Sequence, residues 1–408
     1  MKKKYIAIIT TLYELESHLL HYESFYKKLS SSFEKVYLIN SMNLRYFPKY
    51  AKKIYFEKDF DIKKNYERLP KNFILFDPKN EKDFSEFVKD KQLLVINNFG
   101  KHFWSLKIYR LLKKHRIKQV QISYFGVFGG SGRIFQINNF INFLKFFTFQ
   151  TIFNKLTVLF SSLGFVPKLE IRFLSNKDHI LNIKKNFLSN FLYKNKLLFA
   201  KKIQLVNSRS YDIFLNNKLP ITEDYIVHLD ASLNYKEEIE LRGKLDENKI
   251  INHYYHLEKF LSKLSKSYNK TVKVCIHPLY DLEEHKKYLK NFEVLKFVTR
   301  DYIYKSFLVT CFDSSAITDA ILLKKRIIGL ESSFMTKNEI LHSRTYPQRV
   351  GYIQMNTQKN YNFDPKKLLN EIDSKIKNYD DFISRYHCFE KNKEGADQII
   401  KTIKENFF

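Results

Sequence analysis

The sequence has 408 residues, 44% of them hydrophobic, and 71 Lys and Arg against 43 Asp and Glu, for a formal net charge of +28. That apolar content excludes a disordered tail, and three cysteines (Cys275, Cys311, Cys388) with no CxxC pair exclude a disulfide framework or a thiolate zinc site, so a reducing compartment fits. Only 13 of the basic residues are Arg and the Lys are scattered, a pattern of compositional bias and not the clustered Arg of a nucleic-acid reader, so no nucleic-acid partner is expected. A basic surface instead favours anionic lipids and phosphate-bearing substrates.

In chain order, Met1-Lys2-Lys3-Lys4 precedes an apolar run, Tyr5 to Thr10, that is too short for a secretory h-region and reads as a buried strand. Further strands are expected at Lys35 to Ile39, Ile54 to Phe56, Phe73 to Phe76, Leu93 to Asn97, Gln119 to Ser123 and Lys202 to Val206. Helical periodicity lies between several of them, at Ser17 to Ser31, Glu81 to Lys89 and Trp104 to Lys114. The segment 134–167 is rich in Phe, but Lys145 and Lys155 interrupt it, so it lacks the about 18 uncharged residues of a membrane span. It reads as a helix pair in the core or, preferred, as an interfacial segment lying on a bilayer with its lysines reaching the headgroups.

After Leu219-Pro220 the alternation starts again, with strands at Tyr225 to Leu229, Thr271 to Ile276, Glu293 to Phe297, Phe307 to Cys311 and Arg326 to Leu330. Helices are expected at Lys249 to Lys266, Glu283 to Leu289, Ser315 to Leu323 and Pro365 to Ile376. Alternation of this kind predicts α/β halves of doubly wound, Rossmann-like type. The polar, Pro-containing stretch 216–222 marks the boundary, giving domains 1–218 and 219–378, with a C-terminal helical segment 379–408 expected to lie across both.

Five features could carry chemistry. An apolar run ends directly in His277-Pro278; ligands of open α/β sheets bind beyond the carboxyl ends of strands, and an imidazole there could hydrogen-bond or protonate a departing phosphate. Another strand leads into Ser314-Ser315 at the start of a predicted helix, where amides and hydroxyls suit an anion; the bland alternative is that Ser314 only caps the helix. Asp230 ends the first strand of the second half and is a candidate catalytic carboxylate, against the alternative of a loop-initiating Asp. A glycine cluster, Gly126, Gly129, Gly130 and Gly132 before Arg133, lacks dinucleotide and P-loop spacing and suggests an acceptor or lid loop carried by Gly129, Gly130 and Arg133. Glu14 and Glu16, with His18, follow the first strand and are candidate bases, although carboxylates at helix starts are common for dipole reasons alone.

A strand ending in Leu229-Asp230, a strand ending in His277-Pro278, and a strand leading to Ser314-Ser315 before Lys325-Arg326-Ile327-Ile328-Gly329-Leu330 together resemble bacterial GT-B glycosyltransferases of capsule and O-antigen polysaccharide synthesis, the polysialyltransferases and Kdo transferases in particular. Asn207-Ser208-Arg209-Ser210-Tyr211-Asp212 is similar, imperfectly, to a further segment of such proteins. The resemblance spans residues 203–335 and implies a GT-B-like fold of two Rossmann-like domains facing a central cleft, with a nucleotide-sugar donor, often CMP-activated, held by the C-terminal domain without metal or other cofactor. His277, Ser314 and Ser315 would then hold the donor phosphate, and a base from the N-terminal domain would serve the acceptor. The acidic-acidic-Gly motif that supplies that base in polysialyltransferases has no convincing copy here.

The expected activity is therefore transfer of a sugar, sialic acid or Kdo-like, to a lipid-linked or oligosaccharide acceptor, by a cytoplasmic enzyme held peripherally on the anionic inner face of the membrane. The rivals are a polyol-phosphate transferase using a CDP-glycerol type of donor, a UDP-sugar epimerase, and a non-catalytic scaffold or nucleic-acid-binding protein.

Overall fold

The computed structural model describes residues 3–10, 23–44, 69–97, 105–123, 167–178, 180–181, 200–217, 219–230, 247–276, 282–335, 340 and 343–408. The chain divides into two compact units, Met1–Asp212 with Cys388–Phe408, and Ile213–His387. The division falls inside a helix, Arg209–Asn216.

The first unit is built on a parallel sheet of β1 (Lys3–Thr10), β2 (Val36–Asn40), β3 (Phe73–Phe76), β4 (Lys91–Asn97), β5 (Lys118–Ser123), β6 (Leu169–Leu174) and β7 (Ala200–Leu205), in the order β3-β2-β1-β4-β5-β6-β7. Ile6, Ala7, Ile8 and Ile9 of β1 are all fully buried, the continuous apolar run expected of a parallel strand covered on both faces. Helices at 23–32 (α1), Glu81–Val88 (α2) and Leu106–Lys114 (α3) carry the amphipathic stripes read from the sequence. Strand β6 was not anticipated, nor was the helix Arg209–Asn216 (α4).

The second unit repeats the plan with β8 (Tyr225–Leu229), β9 (Thr271–Ile276), β10 (Glu293–Lys296), β11 (Ser306–Cys311), β12 (Arg326–Glu331) and β13 (Ile353–Asn356), all parallel, in the order β10-β9-β8-β11-β12-β13. The strand order reverses between β8 and β11, so the carboxyl ends of these two strands form the topological switch point where such sheets bind ligands. The long helix Glu247–Tyr268 (α5) lays Ile250, Tyr254, Leu257, Leu261 and Leu264 onto one sheet face at helical spacing. Burial of each such leucine contributes about 1.5–3 kcal/mol, which fastens α5 to that face. Shorter helices follow: Leu282–Tyr288 (α6), Thr299–Tyr304 (α7), Ile317–Leu322 (α8), Thr345–Val350 (α9) and Pro365–Lys375 (α10). On β12, Gly329 leaves room for the Tyr352 ring; a Cβ there would stand 2.9 Å from it.

The C-terminal stretch is two helices, Tyr379–Tyr386 (α11), grouped with the second unit, and Gly395–Phe407 (α12), grouped with the first. Ala396, Ile399, Ile400 and Ile403 of α12 join the core beneath β1, β2 and β6. The segment Asn207 to Asp212 fastens it. The Asn207 side chain accepts from the amides of Phe389 (2.6 Å) and Glu390 (3.1 Å) and donates to the carbonyls of Glu390 (2.5 Å) and Lys393 (2.7 Å). The Asp212 carboxylate accepts from the amides of Gly395 (2.5 Å) and Ala396 (3.0 Å), so it caps α12 from a distance in sequence. Burial pushes the Asp212 carboxyl up to about 7 against the opposing pull of these amides.

No helix among the described residues is long and apolar enough to cross a membrane. The Phe-rich segment 134–166, the glycine cluster with Gly129, Gly130 and Arg133, the turn with Glu14 and Glu16, and His277 lie outside the described residues.

Candidate functional site at the switch point of the second sheet

Successive strand residues alternate faces, so Ile226, His228 and Asp230 point together toward the α5 side of the sheet. Ile226 is core, but the next two positions are polar and buried at the carboxyl end of β8. His228 pairs in register with Thr310 of β11, and its Nδ1 lies 2.9 Å from the Thr310 hydroxyl. Its Nε2 stands 3.5 Å from Asp230 Oδ1, at the edge of hydrogen-bonding reach, and neither atom has another hydrogen-bond partner among the described residues. The backbone amide of Asp230 donates to the Cys275 carbonyl of β9 at 3.0 Å, which extends the strand ladder to this residue.

Two helices complete the cluster. Tyr254, in the inward stripe of α5, donates its hydroxyl to Asp230 Oδ2 at 3.0 Å and stacks on Tyr288 of α6 with ring centres 5.0 Å apart. His285 of α6 brings Nε2 to 3.3 Å from the same Oδ2. Burial alone would raise the Asp230 carboxyl, but the hydrogen bonds and charge of His228 and His285 hold it well below the usual carboxylate range. The Asp230 side chain is 0% exposed. A carboxylate sealed in this way holds its neighbours in place and does not meet a ligand from solvent.

Beside it, His253 of α5 is fully buried against the rings of Tyr254 (5.1 Å) and Phe312 (5.0 Å), with neither ring nitrogen hydrogen-bonded among the described residues. Burial pushes its imidazole down to about 4, so it is neutral at physiological pH.

The Ser-Ser feature sits at the end of β11. The helix after it begins at Ile317, two residues later than expected, and has only six residues. Ser314 Oγ accepts from the amide of Ala316 at 3.3 Å, and the amides of Ile317, Thr318 and Asp319 go to the carbonyls of Ser314, Ser315 and Ala316. The opening turn therefore consumes the amides that a longer helix would have offered an anion. Two hydroxyls remain, with Ser314 half-buried and Ser315 exposed.

The carboxyl ends of β9, β8 and β11 are neighbours along one sheet edge. Position 277 directly follows the last residue of β9, Asp230 follows β8, and Ser314 lies just past β11, on three neighbouring strands. Neighbouring strands are about 4.8 Å apart, so the ends of β9 and β11 are separated by about 10 Å. No group of three or more His, Cys, Asp or Glu able to hold a metal occurs among the described residues. Cys275 and Cys311 are buried, and burial pushes both thiols up to about 12, so neither supplies a thiolate nucleophile.

No family model matches the sequence, and no curated protein matches it. Solved structures do match over the full length. A histidine-to-asparagine variant of the Wall Teichoic Acid Polymerase TagF aligns at TM-score 0.52 and 10% identity, over 99% of this chain and 89% of that one. The same variant soaked with CDPG aligns at TM-score 0.51 and 10% identity, over 98% and 88%. Phytolacca americana UGT2, complexed with UDP-2fluoro-glucose and pterostilbene, aligns at TM-score 0.50 and 8% identity, over 100% of both chains. The chain has the two-domain GT-B fold. At these identities the likeness is one of fold, and residue roles come from the geometry above.

His228, Tyr254, His253 and His285 were not anticipated from sequence. The signal for His228 was its spacing of two from Asp230, which puts both on one strand face. For Tyr254 it was a phenol inside an otherwise apolar helical stripe, since a buried Tyr hydroxyl requires a partner.

Proposed function

We propose that this chain is a transferase that moves a glycosyl group from a nucleotide-sugar donor, held by the second unit, to a hydroxyl acceptor. The observation that supports the reading is the gathering of Ile276, Asp230 and Ser314 at the ends of three adjacent strands at the switch point; His277 is the next residue in sequence after Ile276. In the reaction the bond between the sugar carbon and the donor phosphate oxygen breaks, a bond to the acceptor oxygen forms, and the acceptor proton passes to a base. Negative charge collects on the leaving phosphate. His277, by hydrogen bond or proton transfer, and Ser314 and Ser315, by hydroxyl donation, stabilise that charge. Asp230 acts as a positioning residue, fixing the ends of β8, α5 and α6 around the edge. Glu14 and Glu16, which follow β1 of the first unit, are the candidate bases, and Gly129, Gly130 and Arg133 form the candidate acceptor loop.

The resemblance of residues 203–335 to polysialyltransferases and Kdo transferases favours a CMP-activated donor and a lipid-linked or oligosaccharide acceptor in surface polysaccharide synthesis. The net charge of +28 favours work at the anionic inner face of the membrane. A second reading, polyol-phosphate transfer from a CDP-glycerol type of donor, is supported by the fold likeness to TagF at TM-score 0.52.

The test is incubation with CMP-sugars, UDP-sugars and CDP-glycerol, scoring nucleotide release, alongside thermal unfolding with each free nucleotide. One nucleotide is expected to raise the melting temperature, because a ligand that binds only the folded state stabilises it. His277→Ala is expected to abolish turnover. If no nucleotide shifts the melting temperature, the transferase reading is wrong.

A further inference from the structure

The sheet of the first unit carries a polar row where a parallel sheet calls for apolar residues. Register pairs Ile9 of β1 with Asn97 of β4, and Gln121 of β5 with Arg172 of β6, which in turn stands beside Ile203 of β7. Val95 of β4 pairs with Gln119 of β5, so Asn97 and Gln121, two residues further along each strand, are level as well. Register partners of a parallel sheet point to one face and residues two apart share it, which puts Asn97, Gln119, Gln121 and Arg172 on the face where Ala7, Ile9 and Val95 are core. Asn97 is the last residue of β4 and Ile9 the last but one of β1. The row therefore runs at the carboxyl edge, next to the place where strand order reverses between β1 and β4, the edge at which open α/β sheets take ligands.

Arg172 stands in this row without a counter-ion. Its Nε is buried and has no hydrogen bond, and its guanidinium makes no ion pair among the described residues. Glu170 is the only carboxylate on β4, β5, β6 and β7, and it gives its two oxygens to the Lys201 ammonium at 2.7 and 2.9 Å. Gln119, fully buried, accepts from the Asn97 amide at 2.9 Å and leaves its own Nε2 without a partner among the described residues. Burial lowers the Arg172 guanidinium from its usual value, and no neighbouring carboxylate opposes the shift. A lysine so placed could shed its proton; arginine keeps its charge. A cation held in this way costs stability that an apolar side chain of the same volume would not, so the position serves something other than the sheet. Arg172 also retains partial exposure, which lets a solute reach it.

We propose that Arg172, with Gln119 and Gln121 beside it, anchors an oxyanion site in the first unit that holds the carboxylate or phosphate of the acceptor. The inference rests on the transferase reading only in naming the ligand as the acceptor. A guanidinium presents parallel N–H donors that match two oxygens of a carboxylate or phosphate, and glutamine amides supply further donors. An acceptor recognised in this way is an anionic glycan or a phosphorylated lipid-linked group, not a neutral sugar.

The test uses the full chain with Ser314→Ala and Ser315→Ala, which removes the hydroxyls assigned to the donor phosphate, and inorganic phosphate and N-acetylneuraminate as probes. At least one probe is expected to bind in calorimetric titration and to raise the melting temperature, and the tighter of the two names the group that the acceptor carries. Adding Arg172→Met is expected to weaken that binding by about 10- to 150-fold. Without either anion the same variant is expected to melt at or above the temperature of its parent, because an uncompensated charge has been removed. Arg172→Lys keeps the charge without the fork, and its affinity is expected to fall between the two. No response to either anion, binding unchanged by Arg172→Met, or a melting temperature lowered by more than about 2 °C in anion-free Arg172→Met overturns the inference, the last because the arginine then serves the fold. None of these outcomes touches the transferase reading, which is judged by nucleotide binding to the wild-type chain. Anion binding that depends on Arg172 in a chain that binds no nucleotide supports the oxyanion site and overturns the transferase reading.

Discussion

Replacing Asp230 tests whether the polar cluster at the switch point is a structural unit. Its carboxylate takes the Tyr254 hydroxyl at 3.0 Å and faces His285 at 3.3 Å and His228 at 3.5 Å, all out of contact with water. Removing one partner from a buried charged set leaves the others uncompensated, which costs about 3–5 kcal/mol. For a unit the size of Ile213–His387, each kcal/mol moves the midpoint by about 2–4 °C, so Asp230→Ala is expected to lower the melting temperature by about 6–20 °C. Asp230→Asn keeps an acceptor for Tyr254 but loses the charge, and its cost is expected to be about 1–3 kcal/mol. The folded carboxyl is held below its unfolded value, so it contributes stability fully above the unfolded value near about 4 and loses it as pH falls through the folded value. The gap between wild type and Asp230→Asn, measured by scanning calorimetry or denaturant titration at pH 7 and again on acidification below about pH 4, should therefore shrink in acid. An Asp230→Ala protein melting within about 2 °C of wild type, or a gap indifferent to acid, would refute the account.

Other outcomes follow from single contacts. Asp212, pushed up to about 7, keeps a proton in the fold that the unfolded chain has lost; stability should fall as pH rises from about 4 to 7, and Asp212→Asn should flatten that slope in pH-dependent denaturant titrations. Lys325, whose ammonium donates to the carbonyls of Thr222 (2.9 Å) and Ser306 (2.7 Å), is pushed down to about 8 chiefly by burial. The unfolded chain then binds the extra proton, so stability should rise between about pH 8 and 10.5, and Lys325→Met should remove that rise in the same measurement. Ser314→Ala with Ser315→Ala should leave the melting temperature nearly unchanged while weakening nucleotide binding by about 1.5–3 kcal/mol per lost hydrogen bond to phosphate, read by titration calorimetry.

The strands that build the site were legible because they are buried on both faces and read as short, mostly apolar runs closed by a polar residue, as Tyr225 to Asp230 does apart from His228. Strand β6 was equally readable from the alternation of Leu169, Ile171 and Phe173 with Glu170 and Arg172, but it follows directly on the Phe-rich segment, whose apolar content dominated that region. Strand β13 has four residues, and α7 and α9 have six each, too few to display a period. The site itself was legible only at its strand ends. Asp230 could be picked out as the residue that closes a strand, but Tyr254 and His285 reach it from helices 24 and 55 positions further on, and sequence spacing does not say which helical turn meets a strand end.

Asn207, Asp212, Asp230 and Ser315 all looked like chemistry in the sequence, and the structure separates them by how many of their polar atoms remain to spend. Asn207 commits its amide oxygen to two backbone amides and its amide nitrogen to two carbonyls, and Asp212 commits both oxygens to the first turn of α12. With those contacts made, the segment's work is attachment of the C-terminal helix, and its likeness to functional motifs is a likeness of residue type. Asp230 commits Oδ2 to Tyr254 and His285, and among the described residues its Oδ1 has the long contact with His228, all in a buried cluster. Ser315 alone of the four is exposed. A phosphate arriving from solvent needs donors that are open to it, and of these four residues Ser315 is the one that meets that condition, while the buried Asp230 cluster supports the strand ends.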